Sequence, residues 1–202
     1  MRRRSGSAGL PASGARGLRV SGRSRGLSGG VLVVALCAAP VLWAHSPPQP
    51  ALFGIPLAHA RRAVLEKALV AAHMTLVRGG AHRWYDVYHV NGALKHATIL
   101  AVSFTAHGRF AKAMYVFPSF ISTKRLGQVV HLVTAKYGPP DKTVGDARIG
   151  PVRVIWRLPH AFEIIVKRRW PNPTTFLTIE NHRMLGRMKH EQKRSLAHSS
   201  AF

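Results

Sequence analysis

Hydrophobic and polar positions along this chain recur with two different periods, and each change of period marks an element. From Leu57 to Ala72 the apolar residues Leu57, Val64, Leu65, Ala68, Leu69 and Ala72 keep the three-and-four spacing of one helix face. Arg61, Arg62, Glu66 and Lys67 take the other face. This helix should end near His73, with Gly79-Gly80 turning the chain soon after. The period then falls to two. Strands are predicted over 75–78, over 82–90, where aromatic and polar residues alternate around Trp84, Tyr85 and Tyr88, and over 97–105, with Leu100, Val102 and Phe104 on one side. A further strand over 109–117 returns after His107-Gly108, a junction suited to a hairpin.

The second half repeats this plan. Ser122 or Thr123 can cap a helix with apolar positions Leu126, Val129, Val130, Val133 and Tyr137, ended by Gly138 and Pro139-Pro140. Strands follow over 152–158, with Val152, Val154, Trp156 and Leu158 on one face, over 161–168, and over 174–179. The fold class predicted is α+β: two tandem modules, 57–119 and 120–181, each a helix packed on an antiparallel three- to four-stranded meander.

A helix ending in Tyr137-Gly138-Pro139-Pro140, followed by strands containing Val154-Ile155-Trp156 and Glu163-Ile164-Ile165-Val166, resembles the modules of β-lactamase-inhibitor proteins. It is also similar to the small lipoprotein of the outer-membrane barrel-assembly machinery. The first half departs from these modules, with Ala72-His73-Met74 in place of a Gly-x-Pro ending. The segments Leu52-Phe53-Gly54-Ile55-Pro56-Leu57 and Trp170-Pro171-Asn172-Pro173-Thr174-Thr175 resemble small uncharacterised exported proteins of proteobacteria. The tandem-module likeness implies a protein-binding surface on the sheets and transfers no catalytic residue.

Ahead of the modules the chain is arranged differently. An arginine-rich stretch from Arg2 to Arg25 leads to the apolar run Gly29–Ala44, and then to the proline-broken segment His45–Pro50. Basic, apolar, polar is the order of an export signal, assigned to 1–44. The apolar run of 16 residues includes Pro40, whereas a membrane-spanning helix needs roughly 20. That favours a cleaved signal over an uncleaved anchor and places the mature chain in the periplasm or outside the cell. Residues 45–56 read as an extended linker, and 182–202 as a basic tail able to form a short amphipathic helix around Met184, Leu185 and Met188.

Composition narrows the chemistry. Cys37 is the only cysteine, which excludes disulfides and thiolate sites from the chain beyond the signal. Seven of the 30 basic residues lie in the leader, leaving 23 against all 7 acids, a formal +16. Such a surplus suits an anionic partner, or a habitat acidic enough to make carboxylates poor carriers of charge. Twelve histidines follow residue 44, but none sits in a helical His-x-x-x-His pair, and His82 and Asp86 on one strand would be roughly 13 Å apart. No metal and no cofactor is expected.

No two carboxylates are set close enough in sequence for paired acid–base work. Asp86, among Trp84, Tyr85 and Tyr88, is the one candidate for a hydrolase-like site, with His82 and His96 as neighbours or an arginine as its partner instead. Candidate binding residues are more numerous. Arg153 and Arg157 should alternate away from Trp156, and Lys167, Arg168 and Arg169 run up to Trp170, placing an aromatic beside cations. The sequence therefore points to a non-catalytic binding or assembly protein of the envelope that uses sheet and loop surfaces, with Trp84, Tyr85 and Trp170 as aromatic anchors. The partner is another envelope protein or, on the alternative reading, nucleic acid or anionic lipid.

Overall fold

The computed structural model of the chain describes residues 48–199 apart from 81–83, 120–123, 148–149, 170 and 172–173. Its main feature is one antiparallel sheet of eight strands built from two meanders. The first is β3 (Thr75–Arg78), β4 (Tyr85–His89), β5 (Ile99–Phe104) and β6 (Phe110–Phe117). The second is β7 (Lys142–Val144), β8 (Val152–Leu158), β9 (Phe162–Arg168) and β10 (Thr175–Asn181). The order β3-β4-β5-β6-β10-β9-β8-β7 joins them through their last strands, with Thr175 opposite Phe117 and Glu180 opposite Lys112.

The two helices predicted by periodicity, α1 (Arg62–Ala71) and α2 (Lys124–Tyr137), pack on the same face of this sheet. Leu65 and Leu69 of α1, and Leu126, Val129 and Val133 of α2, join one continuous core with Leu100, Val102, Phe104, Val154, Trp156 and Ile164. The Trp156 indole N–H donates to the carbonyl of Gly138, the left-handed residue that ends α2 (φ 84°). Each module thus has its helix and meander, but the modules share a sheet and a core.

Three sequence expectations are revised. The helical stripe from Leu57 is interrupted: Leu57–His59 form a single 3-10 turn, and α1 starts only at Arg62. The intervening residues are stitched to the β5–β6 turn, Arg62 N donating to Gly108 O and Phe110 N to Ala60 O. Val64, which the stripe placed inward, is consequently 47% exposed. The stretch read as a linker is folded from Ala51 on: β1 (Ala51–Leu52) and β2 (Ile55–Pro56) form a small hairpin that buries Leu52 in the core. The third revision concerns the length of the basic tail's helix, which runs from His182 to Ser199 as α3. Its residues Leu185 and Met188, with Met184, pack against Ala111 and Trp84 of the first module, and Glu191 accepts from the Ala106 amide. The tail helix clasps the two halves together across the face opposite α1 and α2. Among the described residues, no helix is long and apolar enough to cross a membrane.

Candidate interaction surface

The positions singled out by sequence separate into three groups in the fold. Asp86 is buried, and its carboxylate is taken by Arg62, with Nε on Oδ2 and a terminal nitrogen on Oδ1, both at 2.8 Å. Gly80 N also donates to Oδ1 at 3.3 Å. The loop after β3 comes so close that a Cβ on Gly79 would lie 2.5 Å from this oxygen, so any side chain there would push the carboxylate aside. A carboxylate held by a bidentate arginine is a staple between α1 and the sheet and is not free to take a proton from a substrate. The cleft beside it, about 470 Å³, is lined by Arg61, Glu66 and His107 and does not include His96, which lies against α2. His82 is outside the described residues. Among the described residues no three His, Cys, Asp or Glu side chains gather as metal ligands would.

Trp84 and Arg168 turn away from the roles expected of them. Strand alternation placed Trp84 on the face of Asp86, but Trp84 sits in the bend before β4, where alternation does not apply, and packs under α3. Arg168, expected to meet a polyanion, is 4% exposed. It shares the inward face of β9 with Phe162, Ile164 and Val166, and a terminal nitrogen donates to Ala147 O at 2.6 Å and Gly150 O at 2.9 Å. It closes the loop that follows β7. Tyr85 is exposed, with the Arg78 guanidinium over its ring. Trp170 is outside the described residues.

The remaining cations come together on the sheet face opposite α1 and α2. There the ladder sets side chains in cross-strand rows. One row runs Ala101, Met114, Thr178, Ile165, Ile155; the next runs Ile99, Val116, Phe176, Lys167, Arg153. None of these side chains belongs to either core cluster among the described residues. Thr178, Ile165 and Ile155 are buried, while Ile99, Met114, Val116 and Phe176 are half-buried. Phe176 is the aromatic at its middle: the Lys167 ammonium lies 5.8 Å and the Arg169 guanidinium 5.4 Å from its ring centroid. Arg153 is directly opposite Lys167, and Arg157 lies on the same face two rows further along, past Ile155.

This patch carries unbalanced positive charge. In the third row Glu180 is engaged by Lys112 at 2.9 Å, and Glu163 is shared by Arg153 at 3.4 Å and His182 at 3.5 Å. Burial, and then the charges of Lys112 and Arg169, hold the Lys167 ammonium below the usual lysine range. Sequence reasoning found Arg153, Arg157, Lys167 and Arg169 but missed Phe176, Met114 and Val116. The signal was their parity, opposite to the inward Leu177 and Tyr115.

No protein-family model matches the chain, and no curated protein does. Among solved structures it is similar to a DUF4309 family protein, YjgB, from Bacillus subtilis, at 14% sequence identity and a TM-score of 0.42, covering 67% of this chain and 88% of that one.

Proposed function

We propose that this chain is a non-catalytic binding protein of the bacterial envelope, exported by its N-terminal segment, that holds an acidic, apolar-faced segment of another envelope protein on the open face of its sheet. The observation that carries the reading is the run of partly exposed apolar side chains Ile99, Ala101, Met114, Val116 and Phe176 on one sheet face, bordered by Lys167, Arg169, Arg153 and Arg157. Several adjoining apolar side chains left partly exposed are the ordinary mark of an interaction site. Its central aromatic between cations suits a partner that offers both apolar contact and carboxylates. The likeness to tandem inhibitor modules supports the same use of a sheet.

The second reading is a polyanion binder, favoured by the convergence of Arg153, Lys167, Arg169 and Arg157 on one face. A single experiment separates the two. The tagged chain is used to recover partners from envelope extract, washed at low and then high salt, beside the variants Phe176→Ser and Val116→Glu. A discrete acidic protein that survives high salt with the wild-type chain and is lost with both variants is the expected result. Recovery of only nucleic acid or lipid, released by salt and weakened by Val116→Glu but not by Phe176→Ser, would replace this reading with the polyanion one.

A further inference from the structure

We propose that a second, separate site binds a phosphoryl group: a cleft of about 430 Å³ between the N-terminal 3-10 turn, the β5–β6 turn, the β8–β9 turn and the start of α3. Four elements each bring one basic side chain to it: His59, Arg109, His160 and Arg183. No carboxylate lines the cleft, and none of the four is in an ion pair among the described residues.

Two further observations select this cleft from the general positive charge. Asn181 in its wall is 6% exposed. Its Oδ1 accepts from Met184 N at 3.1 Å, while its Nδ2 donor has no partner among the described residues. That donor keeps contact with solvent, and an oxyanion in the cleft would take the place of water on it. The second observation is the turn that carries His160. Pro159 O accepts from Phe162 N, and both central residues, His160 (φ 60°) and Ala161 (φ 63°), are left-handed. Turns of this kind favour Asn-Gly, and a side-chain-bearing residue there costs about 1–2 kcal/mol. A turn chosen for stability alone would not hold His-Ala, and its imidazole lines the cleft.

The donor set fits a tetrahedral oxyanion. Two guanidiniums present forked pairs of N–H groups, the geometry that matches phosphate oxygens. The imidazoles and the Asn181 amide add donors from other directions, so three oxygens of one phosphoryl group can be met at once, more than a lone carboxylate offers. The site uses none of the open-face residues, so it stands or falls independently of the function proposed above.

The test is titration of the full chain with inorganic phosphate, followed by amide and arginine side-chain NMR shifts, in the wild type and in Arg109→Ala, Arg183→Ala, His160→Asn and Arg194→Ala. Saturable shifts around the cleft are expected, with Arg109→Ala and Arg183→Ala each weakening phosphate about tenfold, equivalent to about 1.4 kcal/mol. The exposed control Arg194→Ala should leave affinity unchanged. His160→Asn should hold or raise the melting temperature, because asparagine tolerates the left-handed region, and still weaken phosphate severalfold. Flotation with phosphatidic acid vesicles, against phosphatidylcholine vesicles, identifies the source. Arg183-dependent flotation assigns the phosphoryl group to a lipid headgroup, and phosphate binding without flotation assigns it to a soluble ligand. The proposal is overturned if shifts do not saturate, or if Arg194→Ala weakens phosphate as much as Arg183→Ala.

Discussion

The Arg62 guanidinium and the Asp86 carboxylate meet fork to fork, each of the two contacts 2.8 Å long. The pair ties the first turn of α1 to the second strand of the sheet and, through the Gly80 amide, fixes the loop between β3 and β4. Taking away the carboxylate removes the acceptor of two N–H groups from a guanidinium that is largely enclosed. Asp86→Asn should therefore lower stability by about 3–5 kcal/mol, a drop in melting temperature of about 10 °C for a chain of this size. Thermal unfolding followed by circular dichroism measures it. Gly79→Ala should shift the melting point in the same direction, by thrusting a methyl group at Oδ1. A melting curve unchanged in both variants would show that the contact does not hold the hairpin.

Arg168 plays the corresponding part in the second meander with the opposite charge, reaching the carbonyls of Ala147 and Gly150. Arg168→Met should leave those acceptors unsatisfied and cost about 1–3 kcal/mol. Amide hydrogen exchange should quicken in the loop after β7 before it quickens in the core. Binding of any anionic partner, and its dependence on salt, should stay the same, because this side chain does not reach the surface.

Lys167 should show a conflict between stability and binding. A lysine whose folded pKa lies below its unfolded value disfavours folding while charged; the cost is present at neutral pH and is relieved as pH rises through the folded value. Lys167→Met should accordingly raise the melting temperature at neutral pH by roughly 2 °C. The gain should fade as the medium approaches the ordinary lysine value of about 10.4. The same variant should bind an acidic partner less well than the wild type, a split that differential scanning calorimetry and a binding isotherm together would resolve.

The attachment of α3 should respond to acid. Burial pushes the Glu191 carboxyl up, but the Ala106 amide and the Arg187 guanidinium outweigh it and hold the group below the usual glutamate range. Because its folded pKa is depressed, its contribution is complete above the ordinary value of about 4.3 and is lost as pH falls through the folded value. Loosening of α3 in acid, read from the Trp84 indole resonance beneath it, is expected ahead of global unfolding. Glu191→Gln should loosen the helix at neutral pH and abolish the acid step.

Period-two patterning is strong where a strand is long and has one dry face. Leu100, Val102 and Phe104, and Val152, Val154, Trp156 and Leu158, face the core as alternation predicts. The pattern has nothing to say where pairing is brief. β7, with only Lys142, Thr143 and Val144, was not predicted, and the two-residue strands around Phe53-Gly54 read as linker because two residues carry no period. Arg168 was misjudged for another reason. Its parity with Phe162, Ile164 and Val166 places it inward, but arginine in a basic run suggests solvent, and only the loop carbonyls it satisfies account for its burial. The open face was half legible. Its cations stand out in the sequence, whereas the row containing Phe176 and Val116 exists only once β6 and β10 are side by side.

That seam governs the order in which the molecule can be built. β10 is the last strand of the sheet in chain order, yet it occupies the middle of it, between β6 and β9. Until it arrives, each half has one flank of unpaired amides and carbonyls, and the cross-links that β10 supplies join residues far apart in sequence, contacts that slow folding. Everything up to β10 must therefore be available before the sheet closes, and a chain cut short ahead of Thr175 would present two sticky flanks in place of a finished sheet.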